Sequence, residues 1–301
     1  MKPHFDNITV FIISIGEDTT EECEEALKAQ DCTFTIKYIK DTYPMSAAFQ
    51  RMPDECDTKY FIQVDSDMIL KSHAVQTLYN EIKKTPFMTY MVFGQLYEKG
   101  VGDSGAVKCW KRWLFNYLSF RDLRAVDRDV YRRTKWFGLR YKNLRNSLGL
   151  HQARETDFTR YLKTKSDVEK RRYLRITPYR HDMKLLETSV HNLPATSYEL
   201  LGALFGALTS KERLLRSKDF RLENERYEDL CRFLLIDRGS VSARDRAIDK
   251  ERLTKLFYGS YIDRSGDHTN ITRLALAKTA ISIFGNNGTA DSSELIKILA
   301  R

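Results

Sequence analysis

Over the first hundred residues, short β-branched and aromatic runs alternate with segments whose apolar residues recur every three or four positions. That alternation restricts the chain to few architectures. "ITVFIISIG" (8–16) is a nearly continuous apolar run, as a strand covered on both faces requires. "DTTEECEEALKAQ" follows, with Asp18, Thr19 or Thr20 as N-cap, acidic residues in the first turn, and Ala26 and Leu27 on the inner face. "TFTIKYIKD" (33–41), "KYFIQVDSDMIL" and "PFMTYMVFGQLYE" predict further strands, and "MSAAFQRM" and "SHAVQTLYNEIKK" predict the helices between them. The order βαβαβαβ is that of an α/β fold with a mainly parallel sheet and helices on both faces. "GAVKCWKRWLF" predicts one more strand, and from about residue 183 four segments carry helical periodicity, among them "SYELLGALFGALT" and "ITRLALAKTAISIFG". The expected organisation is a domain over 1–182 followed by a helical subdomain over 183–301.

At 301 residues the chain can bury a sizeable core, and its longest apolar runs are too short to span a bilayer. The N-terminus reads as a first strand rather than a secretory signal. Five cysteines, odd in number and without a CxxC pair, predict free thiols in a reducing compartment, hence a cytoplasmic protein. The net charge of +9 is unevenly spread: residues 106–180 hold 21 Lys and Arg against 7 Asp and Glu, whereas residues 1–105 are net negative. Such a block attracts nucleic acid, an anionic membrane or a phosphorylated substrate, unless it is only a solvated helical face.

The feature that carries chemistry is "YFIQVDSDMIL" (60–70), a buried-strand pattern that ends in Asp65 and Asp67. In a parallel sheet, ligands gather at the carboxyl ends of strands. Residues i and i+2 of an extended segment point the same way, so both carboxylates can face one ligand across Ser66. Two like charges held together call for a cation, and Mn²⁺ or Mg²⁺ suits carboxylate oxygen and bridges to a diphosphate.

With "VFIISIG" as first strand, "YIKD" ending the second, "VDRDVYRRTKWFG" downstream and "LGLHQ" beyond, the stretch from about 8 to 165 resembles the GT-A class of nucleotide-sugar-dependent glycosyltransferases. The likeness is to its large inverting family with one Rossmann-like domain. The resemblance implies a hexosyl- or pentosyltransferase with Asp67 as direct metal ligand, Asp65 on the donor ribose or on the metal through water, and His151 as third metal ligand. It implies a catalytic base in the acidic pair before a helix, where Asp127 is preferred. Val126 stands where the family carries Glu, which makes Asp129 a competitor. Asp41 matches the acidic residue that contacts the nucleotide, and Ser14, Gly16 and Ser66 would approach the donor.

"KCWKRWLF", "YRRTKWFGLRYKNLR" and "EKRRYLR" interleave cations with aromatics, which suits sugars, unpaired bases and phosphates alike. The implied acceptor is anionic: a lipid-linked glycan at a membrane surface, or a hydroxylated base in DNA. Two other classes fit the same residues, a non-catalytic nucleic-acid-binding protein on a Rossmann-like scaffold and a nucleotidyltransferase. Nucleotide-sugar turnover separates the leading reading from both.

Overall fold

The structure is a computed structural model that describes residues 2–98, 102–152, 156–174, 186–187, 191, 196–243, 249–262, 270–285 and 291–300. It divides into two compact units, Met1–Arg121 with Val126–Arg154, and Asp122–Ala125 with Glu155–Arg301. The boundary expected at residue 182 lies outside the described residues.

The first unit holds one sheet of strands β1 (His4–Ser14), β2 (Thr33–Lys40), β3 (Tyr60–Asp65), β4 (Met68–Leu70), β5 (Thr89–Glu98), β6 (Gly102–Lys111) and β7 (Arg140–His151), in the order β2-β1-β3-β6-β5-β7-β4. β1, β2, β3, β5 and β7 run one way, and β6 and β4 run against them. The expected mainly parallel α/β sheet is therefore present, with two reversals. β6 reverses because it follows β5 closely in sequence, Glu98 pairing with Gly102, and a short link can only return the chain antiparallel.

Helices α1 (Thr20–Lys28), α2 (Met45–Glu55), α3 (Ala74–Lys84) and α4 (Val126–Trp136) complete this unit, with a 3₁₀ turn at Arg112–Asn116. The continuous apolar run of β1 is explained by burial on both sides. Ile8, Val10 and Ile12 pack with Leu27 of α1 and Leu78 and Ile82 of α3. Phe11 packs with Phe49 and Met52 of α2 and with Trp110, Val126 and Val130 on the other face. Each such side chain contributes about 1.5–3 kcal/mol when fully buried.

β3 stops at Asp65, the Ser66 N–H donates to the Ile13 carbonyl at 2.9 Å, and the chain returns as β4 against β7. Met68 lies opposite His151 and Leu70 opposite Gly149. A Cβ at Gly149 would stand 2.4 Å from the Ile69 carbonyl oxygen and 3.0 Å from the Leu70 Cα, so glycine sets the closeness of this pairing.

The second unit is helical: α5 (Asp157–Leu174), α6 (Ser197–Leu208), α7 (Lys211–Leu214), α8 (Phe220–Leu234), α9 (Lys250–Ile262), α10 (Ile271–Phe284) and α11 (Ser292–Ala300). α6, "SYELLGALFGAL", is apolar nearly all round and lies inside the unit's core. Its Gly202 and Gly206 face α5, where a Cβ would come within 2.4 Å of the Tyr161 carbonyl and 2.8 Å of the Lys165 carbonyl.

This unit also accounts for part of the basic block. Lys165 is buried, 2.6 Å from Glu169 and 2.7 Å from Glu223, and Arg124 pairs with Glu169. Arg172 is buried and donates to the carbonyls of Gly206 and Thr209. These cations are neither a solvated face nor an acceptor surface. Buried charges of this kind persist only when paired and hydrogen-bonded.

Gly149→Val forces β4 away from β7. We expect the variant to lose about 2–3 kcal/mol of stability, read as a lowered thermal midpoint. An unchanged midpoint contradicts the close pairing.

Candidate active site

The register of β4 against β7 decides the site. It sets His151 beside Asp67, with His151 Nε2 at 3.2 Å from Asp67 Oδ2, and the Gln152 N–H donates to the Asp67 carbonyl at 2.7 Å. The other ring nitrogen, Nδ1, lies 3.3 Å from Oε2 of Glu98, a mostly buried carboxylate at the end of β5. A carboxylate behind a histidine fixes its ring and tautomer. The hydrogen bond to Asp67 leads the causes that push His151 up to about 9, against burial, which would lower it; Asp67's charge and Glu98 reinforce the rise.

Asp67 Oδ1 is buried and has no hydrogen-bond partner. A buried carboxylate oxygen without a donor costs free energy unless a ligand completes it. A divalent cation fits that oxygen and the adjacent imidazole, since both donors suit Mn²⁺ and Mg²⁺ prefers the oxygen. Among the described residues no three His, Cys, Asp or Glu side chains form a metal cage by themselves. Asp65, expected on the donor ribose or on the metal through water, accepts at Oδ1 from Gln63 Nε2 at 3.4 Å. Burial, then the charge of Asp67, push its carboxyl up to about 7, with Lys108 opposing.

Lys108 is a residue the sequence reading missed. It lies on β6 opposite Gln63 of β3, and its Nζ donates to Asp127 Oδ2. Burial would lower the Lys108 ammonium, but Asp127, Tyr131 and Asp65 together outweigh it and hold the group well above the usual lysine range. Asp127 sits in the first turn of α4, and its Oδ1 is buried without a hydrogen-bond partner. Val126 is buried in the core between α4 and the sheet.

Asp129 has a different setting. Its carboxylate receives Arg121 through two nitrogens and Arg133 at 2.9 Å, with Arg132 at 3.6 Å. Burial alone would raise it, yet the Arg121 hydrogen bond and the three guanidinium charges hold it below the usual carboxylate range. Every oxygen of Asp129 is engaged, whereas Asp127 keeps one free.

The candidate donor loop between β1 and α1 is organised by Glu17, also missed from sequence. One oxygen, Oε2, accepts from Ser14 Oγ at 2.9 Å, from the Ile15 N–H at 2.8 Å and from Ser66 Oγ at 2.6 Å. Thr19 Oγ1 donates to the Ser66 carbonyl at 3.0 Å, so this loop is tied to the DSD turn. The Ser14 and Ser66 hydroxyls are thereby directed at Glu17, leaving backbone as what they offer a ligand. Gly16 takes φ +89°, a left-handed conformation, and open space lies where its Cβ would be. Asp41 directly follows β2 at φ 47°, its side chain exposed and its N–H donating to the Ser14 carbonyl at 3.0 Å. The structure thus gathers Ser14, Gly16, Asp41, Asp65, Ser66, Asp67, Asp127 and His151 around the carboxyl ends of β1, β2 and β3.

No family model and no curated protein matches the chain. Among solved structures, a mannosyltransferase from Pyrobaculum calidifontis in complex with GDP-Man and Mn²⁺ is similar at 11% identity, over 67% of this chain and 74% of that chain, with a TM-score of 0.45. Glucosyl-3-phosphoglycerate synthase from Mycobacterium tuberculosis, in complex with Mn²⁺, UDP and phosphoglyceric acid, is similar at 13% identity, over 54% and 76%, with a TM-score of 0.41. A 4-diphosphocytidyl-2C-methyl-D-erythritol synthase from Anaerococcus prevotii is similar at 7% identity, over 46% and 87%, with a TM-score of 0.32.

The raised His151 pKa has a signed consequence for the metal-free protein. The stability it contributes is complete below the ordinary value of 6.5 and is lost as pH rises through about 9. In a carbon-detected NMR titration His151 should titrate near 9, and Asp67→Asn should bring it down toward 6.5. A midpoint left unchanged by that substitution excludes the Asp67 contact.

Proposed function

We propose that the protein is a metal-dependent, inverting GT-A glycosyltransferase that moves a sugar from a nucleotide sugar, a UDP-sugar first, to a hydroxyl of an anionic acceptor. What supports the reading is the pair of partnerless buried oxygens, Asp67 Oδ1 and Asp127 Oδ1, on two carboxylates that both act on Asp65 at the carboxyl end of β3. One suits a cation, the other a proton. Mn²⁺ or Mg²⁺, held by Asp67 and His151 with Asp65 reached through water, would neutralise charge on the departing diphosphate.

Asp127 does the proton work. Its free Oδ1 accepts the acceptor's hydroxyl proton while that oxygen bonds to the anomeric carbon, as the bond from that carbon to the diphosphate oxygen breaks. One displacement from the opposite face inverts the configuration. Lys108 holds Asp127 through Oδ2, which leaves Oδ1 for the hydroxyl, and it adds a positive charge beside Asp65. Glu17 holds the Ser14–Gly16 backbone toward the donor, and Asp41 offers an exposed carboxylate for ribose or base hydroxyls.

The test is donor hydrolysis across nucleotide sugars with Mn²⁺, which requires no acceptor. We expect slow release of one nucleoside diphosphate, abolished by chelation. Asp127→Asn should then cut transfer about 10²–10⁴-fold while donor binding stays intact. Consumption of a nucleoside triphosphate, with no nucleotide sugar cleaved, would instead mark a nucleotidyltransferase.

A further inference from the structure

The three tryptophans of the basic aromatic block have three different fates. Trp110 is fully buried, Trp113 is half-buried and stacks on Phe87 with ring centroids 4.4 Å apart, and Trp136 stands 85% exposed. Trp136 is not alone. Phe137 is 69% exposed, Phe87 67% and Met88 45%, and all four belong to the first unit. The two pairs are neighbours: the Arg140 N–H donates to the Met88 carbonyl at 2.8 Å, and a Cβ at Gly138 would lie 4.0 Å from Met88 Cε.

This tip is built rigidly. Phe137, Gly138 and Leu139 donate their N–H groups back to Thr134, Lys135 and Thr134, and Gly138 at φ +68° closes α4 directly after the aromatic pair. Large apolar side chains held out in water are unfavourable unless something covers them. We propose that Phe87, Met88, Trp136 and Phe137 form a docking tip that inserts into the headgroup region of an anionic lipid bilayer.

Charge complementarity selects that occupant. Segments 81–88 and 128–142, which carry the tip, hold eight Lys and Arg against two carboxylates. Both carboxylates are already engaged: Glu81 by Lys84 at 3.3 Å and Lys142 at 2.6 Å, and Asp129 by its three arginines. A cleft of about 700 Å³ beside Phe87 adds Lys59 and Arg112 against Asp6 and Asp57, the latter 3.4 Å from Lys37. Apolar side chains ringed by cations match an interface of acyl chains beneath anionic headgroups. Nucleic acid fits less well. Met88 has no aromatic face to offer a base, and one face of Phe87 is already stacked on Trp113.

The tip lies where β5 and β7 begin, while Asp65 ends β3, so within this unit lipid contact and the candidate donor site occupy opposite ends of parallel strands. Docking would localise the protein without covering the carboxyl ends. This inference stands apart from the catalytic one, and Asp67→Ala should leave it untouched.

The test is co-sedimentation of the full chain with phosphatidylcholine vesicles, with and without phosphatidylglycerol. We expect binding to the anionic vesicles only, weakened by salt, with a blue shift of tryptophan emission. The exposed double variant Trp136→Ser/Phe137→Ser should lose about tenfold or more in vesicle affinity while keeping its thermal midpoint and its donor hydrolysis. Absence of binding to anionic vesicles overturns the proposal, as does equal binding by the double variant. Duplex DNA binding that the double variant loses, without vesicle binding, assigns the tip to nucleic acid and overturns it as well.

Discussion

The contact on which the candidate site depends is the antiparallel pairing of β4 with β7 across Gly149. Asp67 and His151 are far apart in sequence, and no local preference would bring them together. The reversal at Ser66 folds β4 back along the edge of the sheet, and the register Met68 to His151 then sets imidazole against carboxylate. Glu98, delivered by β5 next to β7, fixes the far side of the ring. Three strands thus position one histidine.

The same logic gives the proposed base its character. Asp127 and Asp129 are two residues apart at the start of α4, yet their surroundings divide their labour. Asp129 is closed off by arginines and ties α4 to Arg121. Asp127 meets one lysine and keeps an oxygen free. A carboxylate wrapped by three guanidinium groups is a poor proton acceptor, because each of those charges favours its ionised form. One with a single cation on one oxygen retains a usable second oxygen.

Much of the architecture was legible because it rests on local pattern. The two-sided burial of β1 is written in an unbroken β-branched run, and the strand that ends in Asp65 and Asp67 announces a loop at the sheet's carboxyl edge. His151 could be found from its place after "LG", where glycine admits the close strand pairing. Glu17, Glu98 and Lys108 could not be found this way, since each acts through a partner 49, 53 or 19 positions away. Their only sequence signal is a charge inside or beside an apolar strand pattern, as in "GAVKCWK". The basic block misled for a related reason. A count of charges does not distinguish Arg124 and Lys165, buried against glutamates, from Lys135, exposed beside Trp136.

In the proposed function, Asp67 would hold the cation that offsets the donor diphosphate's charge. Calorimetry of UDP binding, with and without Mn²⁺, on the wild type and on Asp67→Ala tests it most directly. The account predicts heat that requires Mn²⁺ in the wild type and disappears in the variant. Binding of equal strength without the metal, or in Asp67→Ala, would contradict it.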